Sequence, residues 1–450
     1  MFPLVILGLA LSLASMPNPL IYLPLGIFIG FVPLLILDQM LTGRSRFFAN
    51  LLFTELLAIA MIIPIDTLNA VYLFPETLIL IAIFAVMGLV YALMISLSSA
   101  LSDKFSWNFS PIIFGISWTI LQYSLSNIHF LLTFPLETAL SKVPIMIQTV
   151  RIFGPYSVVF LIIFTNAILA NAFIKKDKKM WIISLSILGI IHIVNLCYGY
   201  NSINSKRNFG EAVNIAVIQQ DITSKDYQLM ERSRFFEKIF GNNLIALSID
   251  ALKKQPKLVI WPELSGDYTL QDDRYLSYLQ RTITSKGTEL LIGTSYIDYC
   301  DNGKKYNIAF ILKTDGDMTE PYRKTKIFPF FETQWISRGK EYVTLPSSTA
   351  LKNIGAMICL ESTYPQISRG LSRSGASALV CISNDTAFGN SMIPYIHTAS
   401  MVFRAIENNK YGVHVGNTGP SIICDNKGRI ITQIPYGKTA YANAVISPIN

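Results

Sequence analysis

Three positions in this 450-residue chain carry side chains that could act together in acyl transfer: Glu263, Lys324 and Cys359. Glu263 ends VIWPE, just past an apolar run, and Lys324 lies in EPYRKTKIFPFFE. Cys359 lies in AMICLE, where a strand runs into a turn. A cysteine becomes a good nucleophile when a nearby carboxylate can take its proton. A lysine ammonium beside it lowers the thiol pKa and steadies the negative charge of a tetrahedral intermediate. The backbone N–H of Leu360, next after the cysteine, is the natural second donor to that oxyanion. Singly, each residue has a plainer reading: a strand-end cysteine is usually a small buried hydrophobe, and a lone Glu or Lys a solvated charge. Their shared contexts favour the chemical reading.

The elements around them read as short strands alternating with amphipathic helices. Val213–Gln219, Lys257–Trp261, Glu289–Thr294, Ala309–Lys313, Ile354–Cys359 and Ala378–Ser383 are strand-like. Helical stretches over 228–253 and 271–286 fall between them, which predicts a layered α/β domain. Catalytic groups in such domains sit where a rigid sheet meets adaptable loops.

The first part of the chain is different. Residues 1–200 hold 9 Lys+Arg and 7 Asp+Glu, against 28 and 22 in residues 201–450. Seven apolar segments, near 2–16, 20–40, 47–65, 77–101, 110–128, 155–174 and 180–200, are expected to span a membrane. The first lacks a positive flank and reads as an uncleaved helix. Arg44 and Arg46, Lys104, and Lys175, Lys176, Lys178 and Lys179 lie in alternate connections, which places them and the N-terminus in the cytoplasm. The opposite loops, around Asp66 and Glu76, are acidic or nearly neutral, with Lys142 and Arg151 as exceptions. Seven spans then deliver a domain over 209–450, after the polar linker Asn201–Asn208, to the outer side. Residues 129–154 read as a short interfacial helix that could also frame a lipid entrance.

The net charge of +8 is scattered, so no nucleic-acid stripe is present and mild attraction to anionic lipid is expected. The five cysteines (Cys197, Cys300, Cys359, Cys381, Cys424) show no metal spacing, and a disulfide among Cys300, Cys381 and Cys424 stays open. His129, His192, His397 and His414 have no paired spacing either, so neither a metal nor a cofactor is expected.

With these residues in hand, the sequence resembles the nitrilase (carbon–nitrogen hydrolase) superfamily, and within it the apolipoprotein N-acyltransferases of Gram-negative bacteria. The superfamily's Glu–Lys–Cys triad maps to Glu263 in WPE, Lys324 in YRK and Cys359 in ICLE. Further matches are Glu361 in ICLE, Asn384 and Phe388 in SNDTAFG, Arg404 in MVFRAIENN, and NTG at Asn417–Gly419. The resemblance covers essentially the whole chain, since that branch also carries an N-terminal helical bundle. It implies a transmembrane bundle followed by an α/β nitrilase-like domain, a four-layer α-β-β-α sandwich, in a monomer of the bacterial inner membrane whose catalytic domain is periplasmic.

The implied reaction is ping-pong. Cys359 takes an acyl chain from a phospholipid, and the α-amine of diacylglyceryl-cysteine in an apolipoprotein receives it. Glu263 would be the base, and Glu332, in the place of the family's second glutamate, would orient Lys324 or shape the pocket. A membrane-tethered amidase, an N-acyltransferase with another amine acceptor, or a transporter or receptor that only binds such a ligand are the alternatives. Departures from the family pattern are Leu360 for an aromatic residue, Ala387 for Trp, Phe331 for Gly, and YANAVISPIN at 441–450 where a final transmembrane helix is usual. These put donor, acyl chain and acceptor in doubt rather than the triad. The aromatic run IFPFFETQWI, with Phe328, Phe330, Phe331 and Trp335, reads as a lipid-facing loop.

Overall fold

A computed structural model describes residues 2–63, 74–105, 109–128, 134–205, 210–232, 234–265, 273–328 and 332–448. The chain divides into two compact units. One comprises Met1–Ser205 with Ser391–Ala399, the other Lys206–Asn390 with Ser400–Asn450.

The first unit is helical: Phe2–Ser15, Val32–Met40, Gly43–Ile62, Phe74–Lys104, Ser110–Asn127, Tyr156–Lys175 and Lys178–Asn204. Gly43–Ile62, Ile81–Lys104, Tyr156–Lys175 and Lys178–Asn204 are long and apolar enough to cross a membrane. Phe2–Ser15, at 14 residues, covers only about 21 Å against a hydrocarbon core of roughly 30 Å, so it falls short of a full span. The expected helix over 20–40 is also broken. A turn at Pro24–Gly26 and one at Ile27–Gly30 precede Val32–Met40, because Pro24 and Pro33 lack the N–H that a continuous helix needs there. Helix Lys178–Asn204 exposes Ile182, Leu185, Ile190, Ile193 and Val194, which suits contact with lipid.

The basic connections gather at one end of this unit. Arg46 pairs with Asp103 at 2.7 Å. Close to them in sequence, Gln39 donates to Asn171 (2.9 Å) and Asn171 donates to Ser110 (2.8 Å). The ends of five helices therefore meet where Arg44, Lys104 and Lys175 lie. Asp38 is fully buried and accepts from Asn50 (2.7 Å) and Ser99 (2.5 Å). The opposite loop around Asp66 lies outside the described residues.

Residues 134–153 form no interfacial helix. They make short turns at Leu136–Leu140, Pro144–Met146 and Val150–Phe153, and Leu136–Leu140 is wholly buried. Pro135 and Pro144 cut the segment. Helix Lys178–Asn204 satisfies its polar groups: Asn195 donates to the Met146 carbonyl (2.8 Å) and Ser202 to Gln148 (3.0 Å). Gly199 permits this approach, since a Cβ there would strike the Ile145 carbonyl. That helix runs on to Asn204, so the expected linker starts only at Ser205, and its positions 206–208 lie outside the described residues.

The second unit contains strands β1 (Val213–Gln219), β2 (Leu258–Ile260), β3 (Glu289–Asp298), β4 (Lys304–Leu312), β5 (Tyr322–Arg323), β6 (Leu345–Pro346), β7 (Asn353–Ile358), β8 (Ala378–Ser383), β9 (Tyr411–Gly416), β10 (Ser421–Cys424), β11 (Ile430–Ile434) and β12 (Ala440–Ile446). They form two six-stranded sheets, ordered β12-β1-β2-β3-β4-β5 and β11-β10-β9-β8-β7-β6. Parallel pairs lie at the heart of each, β1–β2–β3 and β7–β8–β9. Strands covered on both faces read as unbroken apolar runs, as LVI and ALVCIS do. Helix Arg234–Leu252 packs on β1 and β12, helix Pro365–Arg373 on β7 and β8, and the sheets meet through β1 with β9 and β4 with β7. The result is a helix–sheet–sheet–helix sandwich. Residues 440–446 are its edge strand β12, paired antiparallel with β1.

Candidate active site

The candidate chemical groups all follow the C-terminal ends of strands. Glu263 lies three residues past β2. Trp261 anchors that segment: its backbone N–H bonds the Leu291 carbonyl (2.9 Å) and its indole N–H bonds Ser248 Oγ (2.9 Å). Gly293 on β3 leaves room for it, because a Cβ there would come within 2.9 Å of Glu263 Cα and of the Pro262 carbonyl. Glu263 is 3% exposed. Its Oε1 accepts from Asn307 Nδ2 (2.7 Å) and Lys324 Nζ (3.1 Å), and its Oε2 from the Asn384 backbone N–H (2.7 Å).

Lys324 follows β5 and is buried between two carboxylates. Nζ donates to Glu263 Oε1 and to Glu332 Oε1, the latter at 2.6 Å. Glu332 Oε2 accepts from the Phe328 N–H (2.6 Å), so one carboxylate holds both the lysine and the backbone four residues after it. Lys326, two residues on, is also buried but goes elsewhere. Its ammonium sits 4.2 Å from the centre of the Tyr364 ring, and burial with nearby Arg338 brings its pKa down to about 7.

Cys359 directly follows β7 and adopts φ = +54°, turning into the short helix Cys359–Thr363. A side chain in the left-handed region costs on the order of 1 kcal/mol, so the surrounding structure must impose it. The first N–H groups of such a turn have no partner within it, which leaves that of Leu360 available to an oxyanion. Sγ is mostly buried and lies 3.7 Å from Asp385 Oδ1.

Glu361 joins the nucleophile turn to the lysine loop. Fully buried, it accepts from Tyr322 Oη (2.9 Å), Thr325 N (2.6 Å) and Oγ1 (2.7 Å), Lys326 N (3.0 Å) and Ile358 N (2.8 Å). Glu361→Gln puts an amide N–H₂ among these donors, and each mispaired buried group costs about 1–3 kcal/mol. A lowered melting temperature together with slower acylation is expected; an unchanged melting curve would show that the clamp contributes nothing.

The electrostatics define a resting state. Burial raises the Cys359 pKa well above its usual value, with Glu263 adding to the rise and Lys324 opposing it. Burial also raises Glu263, against the pull of Lys324. For Lys324, burial works downward but Glu263 and Glu332 outweigh it, so the ammonium stays charged. The cluster thus holds a neutral thiol, a carboxylate shifted toward neutral pH as a base should be, and a fixed cation.

The remaining expected positions divide. Asn384 is in the cluster, and its Nδ2 donates to Tyr227 Oη (2.8 Å). Phe388 packs its ring 5.8 Å from that of Phe328. Trp335 is exposed, while Phe330 and Phe331 lie outside the described residues. Arg404 is not in the cluster: it is buried and pairs with Glu407 (3.0 Å), which also binds Arg369 (2.6 Å). Asn417 holds the backbone ahead of the site, donating to the Ile222 carbonyl and Thr386 Oγ1, both at 2.8 Å. All five cysteines are free, so no disulfide joins Cys300, Cys381 and Cys424. Two contributors escaped the sequence reading. Asn307 is a polar residue inside the buried strand KKYNIAFIL, a signal that was there to be seen; Asp385 stood within SNDTAFG without an assigned role.

A family model described as carbon-nitrogen hydrolase matches residues 214–447, just over half of the chain. The chain belongs to the carbon-nitrogen hydrolase family. Among curated relatives, the apolipoprotein N-acyltransferase of Geobacter metallireducens is 28% identical over 364 residues, covering 74% of this chain and 67% of that one. That of Aquifex aeolicus is 28% identical over 425 residues, covering 88% and 87%. Among solved structures, the C. elegans NitFhit protein matches at TM-score 0.43 and 20% identity, over 53% of this chain and 62% of that. In this family member the matched region contains the whole Glu263–Lys324–Cys359 cluster.

Proposed function

We propose that this chain is an apolipoprotein N-acyltransferase, moving an acyl chain from a phospholipid to the N-terminal α-amine of diacylglyceryl-cysteine. One observation carries the reading: the similarity to the Aquifex aeolicus protein runs over 88% of this chain and therefore includes the apolar helical unit as well as the α/β unit. A soluble amidase has no use for four helices long enough to cross a membrane. The reaction fits the bacterial inner membrane with the α/β unit on its periplasmic side.

In the first half-reaction Glu263 takes the Cys359 proton and sulfur attacks the ester carbonyl carbon. Lys324 and the Leu360 N–H steady the oxyanion. The lysophospholipid leaves with the proton from Glu263, and a thioester remains. In the second half the acceptor amine attacks, Glu263 again serves as base, and the amide departs as the thiol is restored. The buried, charge-fixed Lys324 supports a role in stabilising charge rather than moving protons. Incubation with labelled phospholipid should add one acyl mass to the protein, and a diacylated lipopeptide should then become triacylated. Release of free fatty acid with no lipopeptide product would point instead to a hydrolase.

The exposed Trp335, 69% accessible, supports a lipid-facing edge beside the Lys324 loop. Trp335→Ser is expected to slow turnover on bilayer phospholipid more than on a short soluble acyl ester. Equal losses on the two substrates would assign Trp335 to the fold of the loop.

A further inference from the structure

On the reading above the acyl donor is a bilayer lipid, so the edge of the α/β unit beside Glu263 must meet a lipid surface. β3 lies parallel to β2, and its Gly293 stands against Glu263. From there β3 runs on for five residues to Asp298, roughly 17 Å at the usual rise per residue. Its neighbours stop short. β2 pairs with β3 only as far as Leu291, and β5 pairs with β4 only at Ile308 and Ala309. β3 and β4 therefore continue as a two-stranded ribbon, paired from Ser295 with Asn307 to Asp298 with Lys304. The turn Tyr299–Asp301 follows at its tip.

A ribbon that projects into water is expected to end on polar side chains. This one ends on Tyr299, which is 82% exposed. The exposed Trp335 belongs to the same region, because Ser337, two residues on, donates its N–H to the Lys305 carbonyl of the ribbon (2.6 Å). The tip is held in shape: Asp298 accepts from the N–H groups of Cys300 (2.9 Å) and Asp301 (3.2 Å) and pairs with Arg323 (2.7 Å). The Arg323 guanidinium in turn lies 4.5 Å from the centre of the Tyr306 ring. Cations outnumber carboxylates here, with Lys304, Lys305, Arg323, Arg338 and Lys340 against Asp298, Asp301 and Glu341. Lys305 and Lys340 are exposed, and Lys304 is half-exposed while bonded to Asp301 (2.9 Å). Exposed Tyr and Trp interleaved with lysines suit a headgroup layer, where the rings lie at the interface and the ammonium groups meet phosphate. We propose that the β3–β4 ribbon is a second lipid contact of the α/β unit, with Tyr299 seated in the headgroup layer and Lys304, Lys305 and Lys340 facing anionic lipid. The role rests on the bilayer-donor reading. Together with Trp335 the ribbon gives the unit two points of contact, which fixes a tilt that one point leaves free.

The test uses the full chain in vesicles of phosphatidylethanolamine with or without phosphatidylglycerol. Serine replaces Cys197 and Cys359, so that a fluorescent dye attaches at the exposed Cys300 beside Tyr299. With phosphatidylglycerol present, headgroup-labelled lipid should quench the dye, and aqueous acrylamide should not. Lys304→Gln, Lys305→Gln and Lys340→Gln combined should reverse both results, as should high salt. With the native cysteines, the same triple variant should lose on the order of 10-fold in acyl transfer from anionic vesicles. Its rate on a short soluble acyl ester should stay unchanged, which also shows that it is folded, and Tyr299→Ser should follow the same pattern. A dye open to acrylamide in anionic vesicles overturns the assignment and leaves the ribbon free for a protein partner. Equal losses on the two substrates overturn it as well, since the ribbon would then only support the Lys324 loop. Wild-type protein that takes no acyl chain from phospholipid would refute the function reading instead, and the quenching result would still decide where the ribbon sits.

Discussion

Cys359→Ser should abolish acyl-enzyme formation and lower turnover by on the order of 10⁴-fold or more, the scale seen when a nucleophile is removed from a catalytic unit. Serine is close to cysteine in size, so the turn at φ = +54° and its packing should survive, and the melting temperature should move little. The loss arises from acidity. A serine hydroxyl is far harder to ionise than a thiol, and the cluster already opposes ionisation: burial and Glu263 push the Cys359 pKa up, with Lys324 alone opposing them strongly. A base that can manage the thiol will not manage the alcohol. Near-normal turnover of the serine variant, or a thioester found on another cysteine, would refute the assignment. Cys381 and Cys424 are buried and raised by desolvation, and Cys300 is exposed.

Lys324→Ala is the second large effect. Removing the ammonium leaves Glu263 and Glu332 as buried carboxylates with their shared cation gone. Breaking such a buried pair costs about 3–5 kcal/mol in stability. One carboxylate then takes up a proton, and if it is Glu263 the base is lost with the oxyanion donor. Single-turnover acylation should fall by roughly 10²–10³-fold, the range for losing one oxyanion donor, measured on protein shown to be folded. Lys326→Ala should at most weaken acylation, because that ammonium stacks on Tyr364 instead of joining the carboxylates. The reverse ranking would transfer the role to Lys326.

These two lysines also mark where the sequence stops being informative. In an extended segment, residues two apart share a face, so alternation could not separate Lys324 from Lys326. The structure separates them because the chain bends at Thr325 and Lys326, where both backbone N–H groups donate to Glu361 Oε1, taking it away from extended geometry.

The apolar runs were legible for a general reason. Burial is a local property, and a strand or helix hidden from water must be apolar along its length. Hence VNIAVIQ, ALVCIS and the long apolar helices could be read one residue after another. Local reading failed where a break depends on backbone chemistry in context, as at Pro24 and Pro33, or where a segment's polar groups find partners on a distant helix, as at 134–153. The chemical types at Glu263, Lys324 and Cys359 were likewise set by sequence. Their meeting was not. Lys324 reaches Glu263 across 61 positions, Asn307 reaches it across 44 and the Asn384 N–H across 121. Such contacts exist because two sheets place the C-terminal ends of β2, β5, β7 and β8 together, and pairing between strands is a tertiary outcome. The positive φ of Cys359, the five donors around Glu361 and the place of Asp385 beside the sulfur belong to the same class: each depends on what lies opposite in space, which no single stretch of chain records.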